Sequence, residues 1–271
     1  MNSAKPVVLT IAGSDSGGGA GIQADLRTFS ARDVFGTTAI TCLTAQNPDS
    51  VTDVSPVKPD FLSEQILQVD RFFTLQAVKT GMLFSADLVQ EVIKFLKERP
   101  KLPAVIDPVM VATSGAVLLD PKTADLLREE LLPLATVFTP NLDEAKIFLG
   151  EAPKNAREMN SAALELAKKI GAPVLLKGGH LKGELVTDVL ADPGGEIHVF
   201  TDSRIMDVNT HGSGCTLAAA IAAELAKGAI LADAVATSRH YLRTAMQNSI
   251  QVGKQSFINH SVDTKFVAAP K

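Results

Sequence analysis

The chain has 271 residues, with 26 Lys or Arg against 30 Asp or Glu and a formal net charge of -4. Its 46% hydrophobic and 21% charged content is ordinary for a globular protein and excludes disorder, collagen and coiled coil. Mild acidity argues against a nucleic-acid partner, and so does the lack of Trp with a single Tyr.

No apolar run reaches the ~18 residues that a membrane helix needs, and Met1–Pro6 lacks the shape of a signal peptide. A soluble, cytoplasmic protein without membrane partners is the expectation. The two cysteines, Cys42 and Cys215, are too few for a disulfide framework or a four-thiolate metal site.

In chain order, the apolar run Val7–Ala12 predicts a buried parallel strand. Ile22, Leu26 and Phe29 follow at helical spacing. Thr37–Leu43 is the second strand. A helix through Phe61, Leu62, Ile66, Val69 and Phe73 leads to a strand at Ala77–Lys79. Leu88, Val92, Phe95 and Leu96 continue the alternation into Ala104–Ile106. Leu126, Leu127 and Leu131 lead to Thr136–Phe138, and Ala163, Leu166, Ala167 and Ile170 to Val174–Leu176. Val186–Leu190, Glu196–Phe200 and Arg204–Val208 predict a strand meander, turning first at Asp192-Pro193-Gly194-Gly195. A helix starts near Gly214, and another covers about Ala232 to Met246. The tail after Ile250 is polar and weakly patterned, which predicts a surface extension. Repeated β-α units predict one α/β domain over residues 1–271: a mostly parallel sheet with helices on both faces, its core about 7–247 and its C-terminal extension 251–271.

Ligands of an open parallel sheet bind beyond the carboxyl ends of its strands, and the non-core residues collect there. Residues 13–21 hold five glycines in nine positions, too many for a regular helix or strand. They predict either a plain turn or close approach of backbone to a small ligand. Gln46 and Asn47 follow the second strand, and Thr80-Gly81-Met82 the third. Asp107-Pro108-Val109-Met110, Thr139-Pro140-Asn141 with Glu144, and Lys177-Gly178-Gly179-His180 follow the next three. A second glycine run, Asn209–Thr216, directly precedes an alanine-rich helix. It predicts an anion site at the positive end of the helix dipole, or else a plain cap with Ser213 as N-cap. There is no Walker loop, dinucleotide fingerprint, nucleophile elbow or zincin motif.

Taken together, the run Gly13–Leu26, Asp107–Met110, Thr139–Asn141, Lys177–His180 and His211–Thr216 resembles the ribokinase-like superfamily. More narrowly it resembles the hydroxymethylpyrimidine/phosphomethylpyrimidine kinases of thiamine biosynthesis, in order from about residue 7 to 245. Family members often end in a Gly-Pro…His segment, whereas this chain has Asn259-His260-Ser261-Val262. The resemblance implies ATP and Mg2+ as the phosphoryl donor and its metal, a pyrimidine alcohol as acceptor, and a homodimer.

Roles follow from the resemblance, each beside a plainer alternative. Cys215 near the helix N-terminus faces the substrate hydroxyl, where the dipole favours a thiolate. The backbone N–H groups of Gly212, Ser213, Gly214 and Cys215 form the anion hole. As an acid/base group Cys215 would be worth roughly 10²–10⁴ in turnover; Cys42 reads as core. Lys177, Asn141, Thr210 and His211 serve ATP and phosphate, although a lysine at a strand end is often only solvated and His211 is equally a structural histidine. Asp107 and Glu144 serve the metal, or cap a turn and a helix dipole. Gln46 contacts the aminopyrimidine, since one carboxamide answers a ring acceptor and an amino donor. Asp25, Met82, Val109, Gly13 and Ala20 complete that pocket. Met82 alternatively fills core, and Asp25 a solvated helix position. A pyridoxal kinase, a non-catalytic sensor and a sugar kinase are the competing functions.

Overall fold

The computed structural model describes residues 4–110 and 121–262. The order of elements is β1 (Val7–Asp15), α1 (Gly21–Ala31), β2 (Phe35–Asn47), β3 (Ser50–Pro56), α2 (Pro59–Phe72), β4 (Leu75–Thr80), α3 (Ala86–Glu98) and β5 (Ala104–Ile106). Next come α4 (Pro121–Leu126), running on through a π-turn at Leu127–Leu131, β6 (Val137–Phe138), α5 (Leu142–Leu149), α6 (Ala156–Ile170) and β7 (Val174–Leu176). The chain ends with β8 (Leu185–Ala191), β9 (Ile197–Ser203), α7 (Ser213–Ala226), α8 (Leu231–Gln247), β10 (Ile250–Val252) and β11 (Gln255–Phe257).

One nine-stranded sheet runs β3-β2-β1-β4-β5-β6-β7-β8-β9. Its strands from β2 to β7 pair in parallel, and β3, β8 and β9 add antiparallel edges. The central strands are apolar on both sides because both sides are covered. Leu9, Ile11, Val78 and Ile106 face the layer of α2, α3, α5 and α6, while Val8, Ala77 and Val105 face α1, α7 and α8. Every residue of α7 from Thr216 to Glu224 is buried, and its alanines let the helix lie close on the strands. The α/β architecture with helices on both faces is thus as expected. No helix among the described residues is long and apolar enough to cross a membrane.

Four readings are corrected. Residues 13–21 are not wholly irregular: β1 runs on through Gly13–Asp15 and α1 begins at Gly21. β3, which periodicity did not suggest, pairs only with β2, and its residues are largely exposed, so no core face marked it. Arg204–Val208 is not a strand. The Arg204 guanidinium turns back to the carbonyls of Gly179, Leu181 and Gly183, and Asp207 takes a left-handed φ of 57° that ends any pairing. The tail is no loose extension. Residues 250–257 form a hairpin around Gly253, Ile258 and His260 are buried, and the Tyr241 hydroxyl donates to the His260 carbonyl at 3.0 Å.

Strand β8, one in from the sheet edge, is tied to α8 by a buried ion pair. Arg239 Nε donates to Asp188 Oδ2 and its Nη1 to Asp202 Oδ2, both at 2.8 Å, while Asp188 Oδ1 accepts the Gly178 N–H. Arg239→Met strands a buried carboxylate, so unfolding free energy should fall by about 3–5 kcal/mol. Urea titration of the two proteins measures the difference.

Candidate active site

Along the carboxyl edge of the sheet lies a cleft of about 1380 Å³. Its floor is reached by β1, β4 and β5, its roof by the N-terminus of α7, and its ends by Gln46 and Lys177. Of the residues expected at the site, all but Asp25 line it. Gln46 and Gly13 stand within the last turns of β2 and β1 rather than after them.

Asp15 shapes the first glycine run, a role that the sequence reading missed. Its Oδ1 accepts the Gly17 N–H at 2.7 Å, and its Oδ2 accepts those of Gly19 at 3.0 Å and Ala20 at 2.8 Å. Burial acts to raise this carboxyl's pKa, but the bonds from His211, Ala20 and Gly17 outweigh it and hold the group below its usual value. An Asp two residues before a glycine is an Asx-turn signal and could have found it. His211 Nε2 lies 3.4 Å from Asp15 Oδ2, so the two glycine runs are joined by this contact. They are also packed backbone to backbone. Gly212 has φ +79°, and a Cβ there would overlap the Gly19 carbonyl oxygen.

Gly212, not Ser213, is the N-cap of α7, and no side chain caps it. The Ser213 N–H is spent on the Thr210 carbonyl, and the helix ladder starts with the Thr216 N–H on Gly212 O. The expected hole of successive N–H groups therefore loses Ser213, while those of Gly212, Gly214 and Cys215 meet no backbone carbonyl among the described residues. Gly214 leaves room for two charged groups beside it. Its Cβ would stand 3.3 Å from Lys177 Nζ and 3.9 Å from Asp107 Oδ2.

That places the cation and the carboxylate at the open tip of the helix. Lys177 Nζ donates to Asp107 Oδ1 at 3.1 Å, and the Thr139 hydroxyl to the same oxygen at 3.2 Å. Burial works against the Lys177 charge, but Asp107 and Glu144 more than offset it and raise its pKa. Glu144 is itself raised, first by burial, with Lys177 pulling the other way. Asn141 and Glu144 form a reciprocal capping box on α5, with N–H bonds of 2.8 and 2.9 Å. Glu144 Oε1 also accepts the Met110 N–H at 3.3 Å.

Mg2+ commonly binds through one or two carboxylates, water and substrate phosphates. No preassembled group of three His, Cys, Asp or Glu exists among the described residues. Asp107 suits such an ion directly; both Glu144 oxygens already accept N–H groups, so an ion beside it would be reached through water.

On the opposite side Gln46 Oε1 lies 3.1 Å from the Thr44 hydroxyl, which is also 2.9 Å from Ser14 O. A hydroxyl has one proton, so Gln46 can exchange this contact for a ligand without orphaning a donor. Met82 lines the wall beside Gly13, where a Cβ would press on Cys42 Sγ at 2.8 Å. Cys42 is core, as read. Val109 holds φ +41°, an unusual strain for a β-branched residue, at the cleft wall.

Asp25 is neither solvated nor on the cleft surface. It is fully buried, with Oδ2 accepting from Thr10 Oγ1 at 2.6 Å and from Lys79 Nζ at 2.9 Å. Lys79, a second residue that the sequence reading passed over as strand, is fully buried too and borders the cleft. Burial opposes its charge, and Asp25, Cys215 and Asp107 raise its pKa in spite of it.

The phosphomethylpyrimidine kinase family matches residues 15–260. The hydroxymethylpyrimidine/phosphomethylpyrimidine kinase of Synechococcus elongatus is 44% identical over 251 residues, covering 93% of this chain and 95% of the relative. This chain belongs to the phosphomethylpyrimidine kinase family. It spans 52% of a bifunctional thiamine-biosynthesis protein of Geobacter sulfurreducens, at 42% identity and 93% coverage of its own length. An ADP complex of Bacillus subtilis pyridoxal kinase superposes with a TM-score of 0.88 at 40% identity, covering 95% of this chain and 98% of that one. Family membership makes the chain a phosphotransferase, and the resemblance read from the glycine runs is borne out.

Within this site burial works against the expected thiolate. Cys215 is partly exposed as a residue, but burial of its thiol pushes the pKa up to about 11, against the pull of Lys79 and of the Gly21 N–H. Iodoacetamide reacts with thiolate only. Its rate at Cys215, read by peptide mass spectrometry, should therefore climb about tenfold per pH unit from 7 to 10, whereas an ordinary thiol levels off near 8.5.

Proposed function

We propose that this kinase moves the γ-phosphoryl group of ATP to the hydroxymethyl oxygen of 4-amino-5-hydroxymethyl-2-methylpyrimidine. A second transfer onto the monophosphate then gives the pyrophosphate. One observation carries this reading: the free N–H groups of Gly214 and Cys215 open between Gln46 on one side and the Lys177–Asp107 pair on the other. The name of the Synechococcus relative supports the acceptor, and the ADP held by the structural neighbour supports the donor.

In each transfer the bond from the γ-phosphorus to its bridging oxygen breaks as a bond to the acceptor oxygen forms, the alcohol oxygen in the first and a phosphate oxygen of the monophosphate in the second. ADP leaves each time, and in the first transfer the alcohol proton passes to solvent. A loose transition state puts its charge on the equatorial oxygens, so positioning and donors matter more than a strong base. Gly214 and Cys215 N–H groups meet that charge, and Lys177 neutralises phosphate oxygens. Asn141 and Glu144, locked in their capping box, fix the wall beside them. Mg2+, held by Asp107 and through water by Glu144, would screen charge on the nucleotide. Gln46 orients the pyrimidine, and Asp25 supports the pocket through Lys79. Thr210 and His211 hold the anion loop in place. A thiol with pKa near 11 is protonated at working pH, so Cys215 lines the hole rather than serving as base. The same reading carries the homodimer and the cytoplasmic location expected of the family.

Pyridoxal is the second reading, favoured by the likeness to a pyridoxal kinase. ADP release measured with each alcohol in parallel separates the two, and kcat/KM should be higher for the pyrimidine. A higher value for pyridoxal reverses the assignment. Lys177→Met should lower kcat roughly 10²–10³-fold, as loss of a donor to transition-state charge does. With the thiol protonated throughout, kcat should stay flat between pH 8 and 10; a rise of tenfold per unit toward pH 11 would make Cys215 the base.

A further inference from the structure

The C-terminal hairpin and the residues just after it touch the first glycine run and the start of α7. Phe257 Cε1 would lie 3.4 Å from a Cβ on Gly19. His260 Nε2 is 3.0 Å from the Thr216 hydroxyl, in the first turn of α7. Between these anchors and the cleft stands Gln255, which lines the cleft wall. Its Nε2 donates to Asp49 Oδ1 at 2.9 Å, and its Oε1 accepts from Asn209 Nδ2 at 3.4 Å.

Those two partners belong to opposite halves of the machinery. Asp49 sits in the turn after β2, three residues beyond Gln46, where Asn47 Oδ1 accepts the N–H groups of Asp49 at 2.8 Å and Ser50 at 3.0 Å. Asn209 shapes the anion loop: its Oδ1 accepts the His211 N–H at 2.9 Å, and His211 in turn reaches Asp15. A polar chain from Asp49 through Gln255, Asn209 and His211 to Asp15 thus spans the cleft mouth.

We propose that Gln255 is a positioning residue for the acceptor alcohol, tying the turn that carries Gln46 and Asn47 to the anion loop. This inference rests on the kinase reading above. A carboxamide suits the place because one end must donate to a carboxylate while the other accepts from an amide. The bond to Asp49 is exposed and that to Asn209 half-buried and long, so each is modest and its effect belongs to geometry rather than to folding.

The test uses the full chain, ATP and 4-amino-5-hydroxymethyl-2-methylpyrimidine. Gln255→Ala should raise KM for the alcohol roughly fivefold, the worth of one net hydrogen bond. KM for ATP and the melting midpoint should stay as in the wild type. Gln255→Glu should be worse, since it sets a carboxylate against Asp49. Adding Asp49→Asn to Gln255→Glu reverses donor and acceptor and should bring KM back toward the wild type. An unchanged KM in Gln255→Ala, or a double variant no better than Gln255→Glu alone, overturns the proposal. If the wild-type protein turns over no alcohol, the kinase reading fails first; if it is active and Gln255→Ala matches it, only the tie fails.

Discussion

The fit of Gly212 against the carbonyl of Gly19 is the contact on which the rest of the site depends. Only a residue without a Cβ, at φ +79°, lets the two glycine runs meet backbone to backbone. Once they meet, α7 is aimed along the sheet edge, and its first open N–H groups face the cleft. Asp15 secures the first run from beneath by collecting three of its N–H groups, and His211 joins the second run to it. The open N–H groups at the start of α7 are therefore held by backbone geometry more than by any one side chain. Donors fixed in this way need no reordering to meet an anion.

Electrostatics under this roof are set by burial. The N-terminus of α7 would lower a thiol pKa in a solvated setting, yet the Cys215 thiol rises to about 11. Loss of water, first, and the nearby Asp25 and Asp107 carboxylates disfavour the thiolate by more than the Lys79 ammonium and the Gly21 N–H favour it. Charge in the site resides instead in the pairs Lys79–Asp25 and Lys177–Asp107. Buried ion pairs of this kind add little net stability, because desolvation offsets their attraction. One pair lies under the cleft floor and the other at the tip of α7, so both set the charge of the cleft.

Several groups serve the fold and the site at once. The capping box of Asn141 and Glu144 satisfies the first turn of α5 and, by the same bonds, fixes two polar side chains beside Lys177. Arg239 closes β8 onto α8, and Asp188 passes that rigidity to the Gly178 N–H next to Lys177. Capping of the helix and fixing of the cleft wall are the same interaction here.

The sequence by itself determined the alternation of strands and helices, the two-sided core and the strand ends at which Gln46, Asp107, Asn141 and Lys177 emerge. Those are local properties: apolar period, glycine density and cap chemistry are written within a few residues of each other. Tertiary structure alone decided that Asp25 is buried on Lys79, that Ser213 gives its N–H to Thr210, and that the Cys215 thiol stays protonated. It also turned a polar tail into part of the cleft wall, with Gln255 meeting Asp49 from 206 positions away. Such outcomes hinge on which surfaces exclude water from which groups, and water exclusion is a property of packed neighbours, not of chain-adjacent ones.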